Sequence, residues 1–133
     1  MKILIVDDAT TFRKLLSMSL TSIGLTDIEN ATSAEDARRI LQGEATIDLV
    51  ISDWHMPGET GLDLLKWVRA NPKFAKTPFI MLTTEQERSH ILEAARVGIQ
   101  GYIFKPVQKA MLVQKLTEIG LLTGESQDLK DLA

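Results

Sequence analysis

Asp7 and Asp8 are adjacent, and Asp53, Thr83 and Lys105 follow at long intervals, each directly after a short apolar run. If these residues meet, three carboxylates lie close together, and one of them would tend to hold a proton unless a cation neutralised the group. The donors are all oxygens with no call for His or Cys, so the expected ion is Mg²⁺ rather than zinc, with coordination left for water and a phosphoryl oxygen. In such a site Asp53 is the candidate nucleophile, with Asp7 and Asp8 as its support. Phosphoryl transfer depends on in-line positioning and on neutralising the equatorial oxygens, which Lys105 and the cation would do. The Thr83 hydroxyl could donate to the phosphoryl oxygen of a mixed anhydride, a contact that exists only in the product state.

Taken singly, each residue has a plainer explanation. A lone Asp after a strand commonly caps the next helix, so Asp8 alone would read as a cap. A lone Thr is commonly a satisfied hydroxyl, and a lone Lys a solvated charge. It is the joint placement, two acids, an acid, a hydroxyl and a lysine at the ends of four of the five expected strands, that points to one site.

The elements that must position these residues follow from two alternating periods. Short β-branched runs at 2–6, 28–31, 47–52, 78–82 and 102–104 read as strands, the second being the weakest. Between them lie helical spacings. Phe12, Leu15, Leu16, Leu20 and Ile23 share a face before Gly24; Ser33 is placed to cap a helix that turns Ala34, Ala37, Ile40 and Leu41 inward and ends near Gly43. Leu62, Leu65 and Val68 mark a third helix that stops before Asn71-Pro72. A fourth is expected over 85–97, with Ile91, Leu92, Ala94 and Ala95 apolar and Gly98 as terminator, and a fifth, after Pro106, carries Met111, Leu112, Leu116 and Ile119 to about Leu122. Five strand-helix pairs with right-handed crossovers make a three-layer α/β fold, (βα)5, with helices on both faces of a parallel sheet. The carboxyl ends of the strands then share one edge, where ligands bind beside the point at which strand order reverses.

Length and composition agree with one domain over 1–122 and a polar C-terminal tail over 123–133. The chain has 133 residues, 44% hydrophobic and 25% charged, the balance of a water-soluble globular protein. No leader and no membrane-spanning run is evident, so a cytoplasmic protein without membrane contact is expected. Having no cysteine rules out disulfides and a thiolate zinc site. The net charge of −3 and scattered Lys and Arg argue against direct nucleic-acid binding.

Asp7-Asp8, Asp53, Thr83 and Lys105-Pro106, at these separations, resemble the receiver domain of two-component response regulators, of the stand-alone CheY-like type. The resemblance spans about 2–122. Asp53-Trp54-His55-Met56-Pro57 is similar to that family's phosphorylation loop, and GIQGYIFKP, from Gly98 to Pro106, to the segment leading into its lysine. It implies a flavodoxin-like doubly wound sheet of strand order 2-1-3-4-5. By position it also implies that Asp53 accepts phosphate from a sensor histidine kinase while Asp7, Asp8, Asp53 and the backbone carbonyl of His55 hold Mg²⁺. Tyr102 would be the switch aromatic, remodelling the face of helix four, strand five and helix five for a separate downstream protein. Lys105-Pro106 would be a cis peptide, and the protein a monomer that modifies only itself rather than an enzyme with an external substrate.

Three positions depart from the family pattern. Thr84 stands where a small residue is usual, and its bulk is expected to alter phosphoryl turnover. Glu59 replaces a common methionine of the loop, and His55 puts an imidazole close to the site. Among rival readings, a haloacid-dehalogenase-like phosphatase uses similar groups, but with its nucleophile after the first strand and an acidic pair late in the chain. A flavodoxin-type module would need Ser, Thr, Gly and backbone amides after the first strand, where Asp7-Asp8 would repel a phosphate. The output partner is open: a motility component in chemotaxis, a kinase-linked assembly, or the next protein of a phosphorelay in which this chain is the intermediate receiver. Trp54, next to Asp53, is expected to report cation binding and phosphorylation by its fluorescence.

Overall fold

The computed structural model describes residues 1–84 and 88–122. Its five strands are β1 (Lys2–Val6), β2 (Asp27–Ala31), β3 (Leu49–Asp53), β4 (Phe79–Thr83) and β5 (Gly101–Phe104). They form one parallel sheet in the order β2-β1-β3-β4-β5. The helices between and after them are α1 (Thr10–Ser22), α2 (Ala34–Leu41), α3 (Gly61–Ala70), α4 (His90–Val97) and α5 (Lys109–Glu118).

The central strands carry unbroken apolar runs, over 3–6, 49–51 and 79–82, because both their faces are covered. Successive residues of β1 alternate between two cores: Leu4 and Val6 pack with residues of α2, α3 and α4, including Ala37, Leu41, Leu65 and Ala94. Ile3 and Ile5 pack with Leu16 and Leu20 of α1 and Leu112 and Leu116 of α5. The chain leaves β1 for β2 on one side and returns to β3 on the other, so strand order reverses between β1 and β3. Register sets the rim beyond that point: Val6 pairs with Ser52, Asp53 with Leu82 and Thr83 with Phe104.

Helix ends follow the local chemistry. The Ser33 hydroxyl accepts from the Asp36 N–H at 3.1 Å, as the sequence predicts. Thr60 and Asp63 close a reciprocal capping box on α3. Gly98 ends α4 with φ +117°, a conformation that glycine adopts without steric cost.

Some expectations need correction. Leu15 is 57% exposed, because the buried seam of α1 is the Phe12, Leu16, Leu20, Ile23 stripe and Leu15 sits about 100° around from Leu16. Leu92, at 67%, and Ala95 are also exposed, since α4 meets the core through Ala94 and Val97. Met111 of α5 is 39% exposed, while Leu112 and Val113 take the inward positions. The third strand begins at Leu49 rather than at 47, and α5 ends at Glu118, before Gly120. The first residues of the expected 85–97 helix and the whole expected tail, 123–133, lie outside the described residues.

Candidate phosphoryl-acceptor and cation site

Four of the five strands, β1, β3, β4 and β5, deliver a polar residue at or just after their ends to the same rim. Asp7 follows β1 directly and is 1% exposed. Its Oδ1 accepts from the Ala9 N–H at 2.8 Å, which turns the chain into α1 and fixes the carboxylate. Its backbone carbonyl accepts from Arg13 Nη1 at 2.6 Å. Asp8, beside it, is exposed. Asp53 ends β3 at 8% exposure. One oxygen from each of Asp7, Asp8 and Asp53 lies within 4.8 Å of the others.

Lys105, the residue after β5, spans the cluster: its Nζ is 3.3 Å from Asp7 Oδ2 and 3.1 Å from Asp53 Oδ2. Its backbone N–H donates to the Thr83 carbonyl at 2.7 Å, continuing the β4-β5 pairing beyond the last strand residue. Burial pushes the Asp53 carboxyl above the ordinary carboxylate range. Lys105 pulls it the other way, the Asp7 charge adds to the rise, and a hydrogen bond from the Trp54 backbone lowers it. Three oxygen donors, one of them an acid whose charged form burial disfavours, beside one ammonium are a set of residues that a divalent cation fits. Bound there, it would offset the carboxylate charge and offer a phosphoryl oxygen a positive partner.

Thr83 ends β4 fully inside the rim, and its hydroxyl reaches the Thr84 carbonyl at 3.5 Å, the outer limit of a hydrogen bond. Thr84 is half-buried. In the loop after Asp53, His55 is exposed and Met56 packs against the core on the α2–α3–α4 side of the sheet, with exposed Pro57 following. Tyr102 pairs with Met81, two positions back from the Thr83 level, so it lies along the sheet rather than in the carboxylate cluster. Its half-buried ring stands edge-on to Phe104, with Lys115 Nζ 5.4 Å from its centroid. The Lys105-Pro106 peptide is cis.

Sequence reasoning missed three supports of this rim. A side chain at Gly61 would overlap the Asp53 carbonyl oxygen and come 2.8 Å from Met81 Sδ, so the residue must be glycine for α3 to start against β3. A glycine at the first helical position, where φ is ordinary, was the available signal. Arg38 of α2 holds Glu59 in the loop between β3 and α3, and His90, at the start of α4, stacks on Trp54 with ring centroids 4.6 Å apart. Neither pairing leaves a trace in local spacing.

Comparison with known proteins agrees with this fold. The sequence matches the response regulator receiver domain family over residues 3–117. The chain belongs to that family. It is 40% identical to the chemotaxis protein CheY of Pseudomonas aeruginosa over 119 residues, 90% of this chain and 95% of that protein. CheY-3 of Vibrio cholerae is 41% identical over 119 residues, 90% of this chain and 91% of that protein. Among solved structures, CheY4 of Vibrio cholerae superposes with a TM-score of 0.80 at 34% identity, covering 89% of this chain and 97% of that one. A response regulator receiver domain protein of Clostridium thermocellum superposes at 0.81 with 27% identity, over 89% and 92%. The chain is thus a receiver domain homologous to CheY chemotaxis response regulators, which sets aside the phosphatase and flavodoxin-type readings. No helix among the described residues is long and apolar enough to cross a membrane.

Proposed function

We propose that this chain is a phosphorylation switch in which Asp53 takes a phosphoryl group from a histidine kinase. The observation that carries the reading is the bridging of Asp7 and Asp53 by Lys105 within an all-oxygen cluster that also includes Asp8. An Asp53 carboxylate oxygen forms the new O–P bond as the N–P bond to the donor imidazole breaks, and the donor nitrogen recovers a proton. Asp7, Asp8, Asp53 and the His55 carbonyl would hold Mg²⁺, which supplies positive charge to the phosphoryl oxygens. Lys105 moves its hold from the carboxylate to a phosphoryl oxygen, and the Thr83 hydroxyl donates to another.

Output follows from the same strands. β4 and β5 connect the rim to α4, to Tyr102 and to α5, so a Thr83 displacement acts on the face those elements form. A separate protein binding that face, in chemotaxis by likeness to the relatives, is the partner this reading supports, with the chain acting as a cytoplasmic monomer.

Labelling with acetyl phosphate and Mg²⁺ tests the assignment. Incorporation of one phosphoryl group, lost in Asp53→Asn and on chelation of the cation, is expected; label retained in Asp53→Asn would refute it. Thr84→Ala is expected to change both the labelling and the decay rate, as monitored by Trp54 fluorescence. Equal rates would remove the role given to Thr84. Capture of partners by the beryllofluoride-treated protein, against the untreated form, would identify the output.

A further inference from the structure

Lys105 has another neighbour besides its two carboxylates. Its Nζ lies 4.2 Å from the centroid of the Phe12 ring, while it contacts Asp7 Oδ2 at 3.3 Å and Asp53 Oδ2 at 3.1 Å. An ammonium has three N–H donors, and here it meets two oxyanions and one aromatic face. Phe12 belongs to the first turn of α1, is half-buried, and packs against the core between the sheet and helices α1 and α5. The ring is therefore a fixed surface, whereas the lysine stem that reaches it has four rotatable carbons to order.

We propose that Phe12 is a positioning residue for phosphoryl transfer, its ring face holding the Lys105 ammonium at the rim through the step. This rests on the phosphoryl-binding role proposed for Lys105. The two carboxylates hold the ammonium only while their charge is available to it. Once that charge is shared with a bound cation, and once an Asp53 oxygen is bonded to phosphorus, both holds weaken at the moment Lys105 is needed. Attraction to the ring comes from its quadrupole and involves no net charge. It neither competes for the cation nor changes when Asp53 is modified. A carboxylate at position 12 would hold the ammonium but repel the incoming phosphoryl group, and an aliphatic side chain would fill the space without holding it.

The test replaces Phe12 with phenylalanines of increasing fluorination, which withdraw electron density from the ring face at nearly constant shape. Two quantities are followed: the rate of acetyl-phosphate labelling of Asp53, and the ring-current displacement of the Lys105 ε-methylene resonance in the cation-free protein. The labelling rate is expected to fall stepwise along the series, by roughly two- to tenfold overall, with the melting temperature unchanged. The methylene resonance should relax toward its solvent-exposed position in parallel. Phe12→Leu, which keeps apolar packing, should match the most fluorinated ring; if it does not fold, the series still decides. A flat rate in a protein that still labels at Asp53 would overturn the role of Phe12 and leave the receiver reading standing. Absence of label in the unsubstituted protein would instead remove the receiver reading and this inference together.

Discussion

The Arg38 guanidinium grips the Glu59 carboxylate with both terminal nitrogens, Nη1 to Oε2 at 2.6 Å and Nη2 to Oε1 at 2.5 Å. One partner is on α2 and the other in the loop between β3 and α3, so the pair ties the segment after Asp53 to a helix on the flank of the sheet. Glu59 is one of the three positions that depart from the family pattern, and this geometry gives it a partner. The hydrogen bond to Glu59 raises the Arg38 pKa, so the guanidinium stays charged at every practical pH. Because the Glu59 side chain is 45% exposed, breaking the pair should cost no more than about 1 kcal/mol of stability, and less at high salt. The larger effect should be local. Glu59→Ala and Arg38→Ala should each speed amide exchange over 56–60, and the double variant should add nothing further; additive effects would mean that the two residues act separately.

The rise in the Asp53 pKa, caused first by burial, fixes the sign of a pH effect. The folded state favours the neutral acid. Below the ordinary carboxylate range both folded and unfolded chains are protonated and no penalty exists. Stability falls as pH climbs from the ordinary carboxylate range through the folded pKa, where the buried group ionises, and the penalty is complete above it. Asp53→Asn should therefore melt a few degrees higher than the unsubstituted protein at neutral pH without Mg²⁺, and the gap should close in acid. Mg²⁺ should raise the melting temperature of the unsubstituted protein and scarcely move Asp53→Asn. Equal melting temperatures at neutral pH would show that Lys105 cancels the burial.

Gly61→Ala introduces a methyl group where the Asp53 carbonyl oxygen already sits, with Met81 Sδ behind it. The Met81 side chain could shift, but the Asp53 backbone has nowhere to give. Overpacking of this kind costs roughly 1–3 kcal/mol, and urea unfolding should read a loss in that range. Because the shift falls on the backbone of Asp53, the labelling rate should drop as well. A variant of unchanged stability would show that α3 can start farther from β3.

Arg69, near the end of α3, donates Nε to the Gly98 carbonyl at 2.8 Å and Nη1 to the carbonyls of Thr77 at 2.7 Å and Ala75 at 3.2 Å. Its Nη2 donates to Gln100 Oε1 at 2.8 Å, and that same oxygen accepts the Phe79 N–H at 2.7 Å. One side chain thus fastens the entries to β4 and β5. Arg69→Lys cannot reproduce the fork. Leaving these part-buried carbonyls without a donor should cost on the order of 1–3 kcal/mol in urea unfolding, with faster amide exchange at the start of β4 and β5. A loss below a few tenths would mean that water replaces the guanidinium.

The amino-acid order alone determined the alternation of elements, because a strand covered on both faces must be continuously apolar and a helix beside it must be apolar on one stripe. It also determined that Asp7, Asp8, Asp53, Thr83 and Lys105 share a rim, since parallel strands end on the same side whatever their order. Ser33 was readable as a cap because capping is decided within three residues. Only the tertiary structure decided the remainder: that Leu15 and Leu92 face outward, that Arg38 meets Glu59, that Phe12 lies beneath Lys105, and that α3 leaves no room for a side chain at Gly61. Periodicity reports which way a side chain faces within its own element. What it meets there depends on the offsets and crossing of elements distant in sequence, and those are settled when the two cores pack.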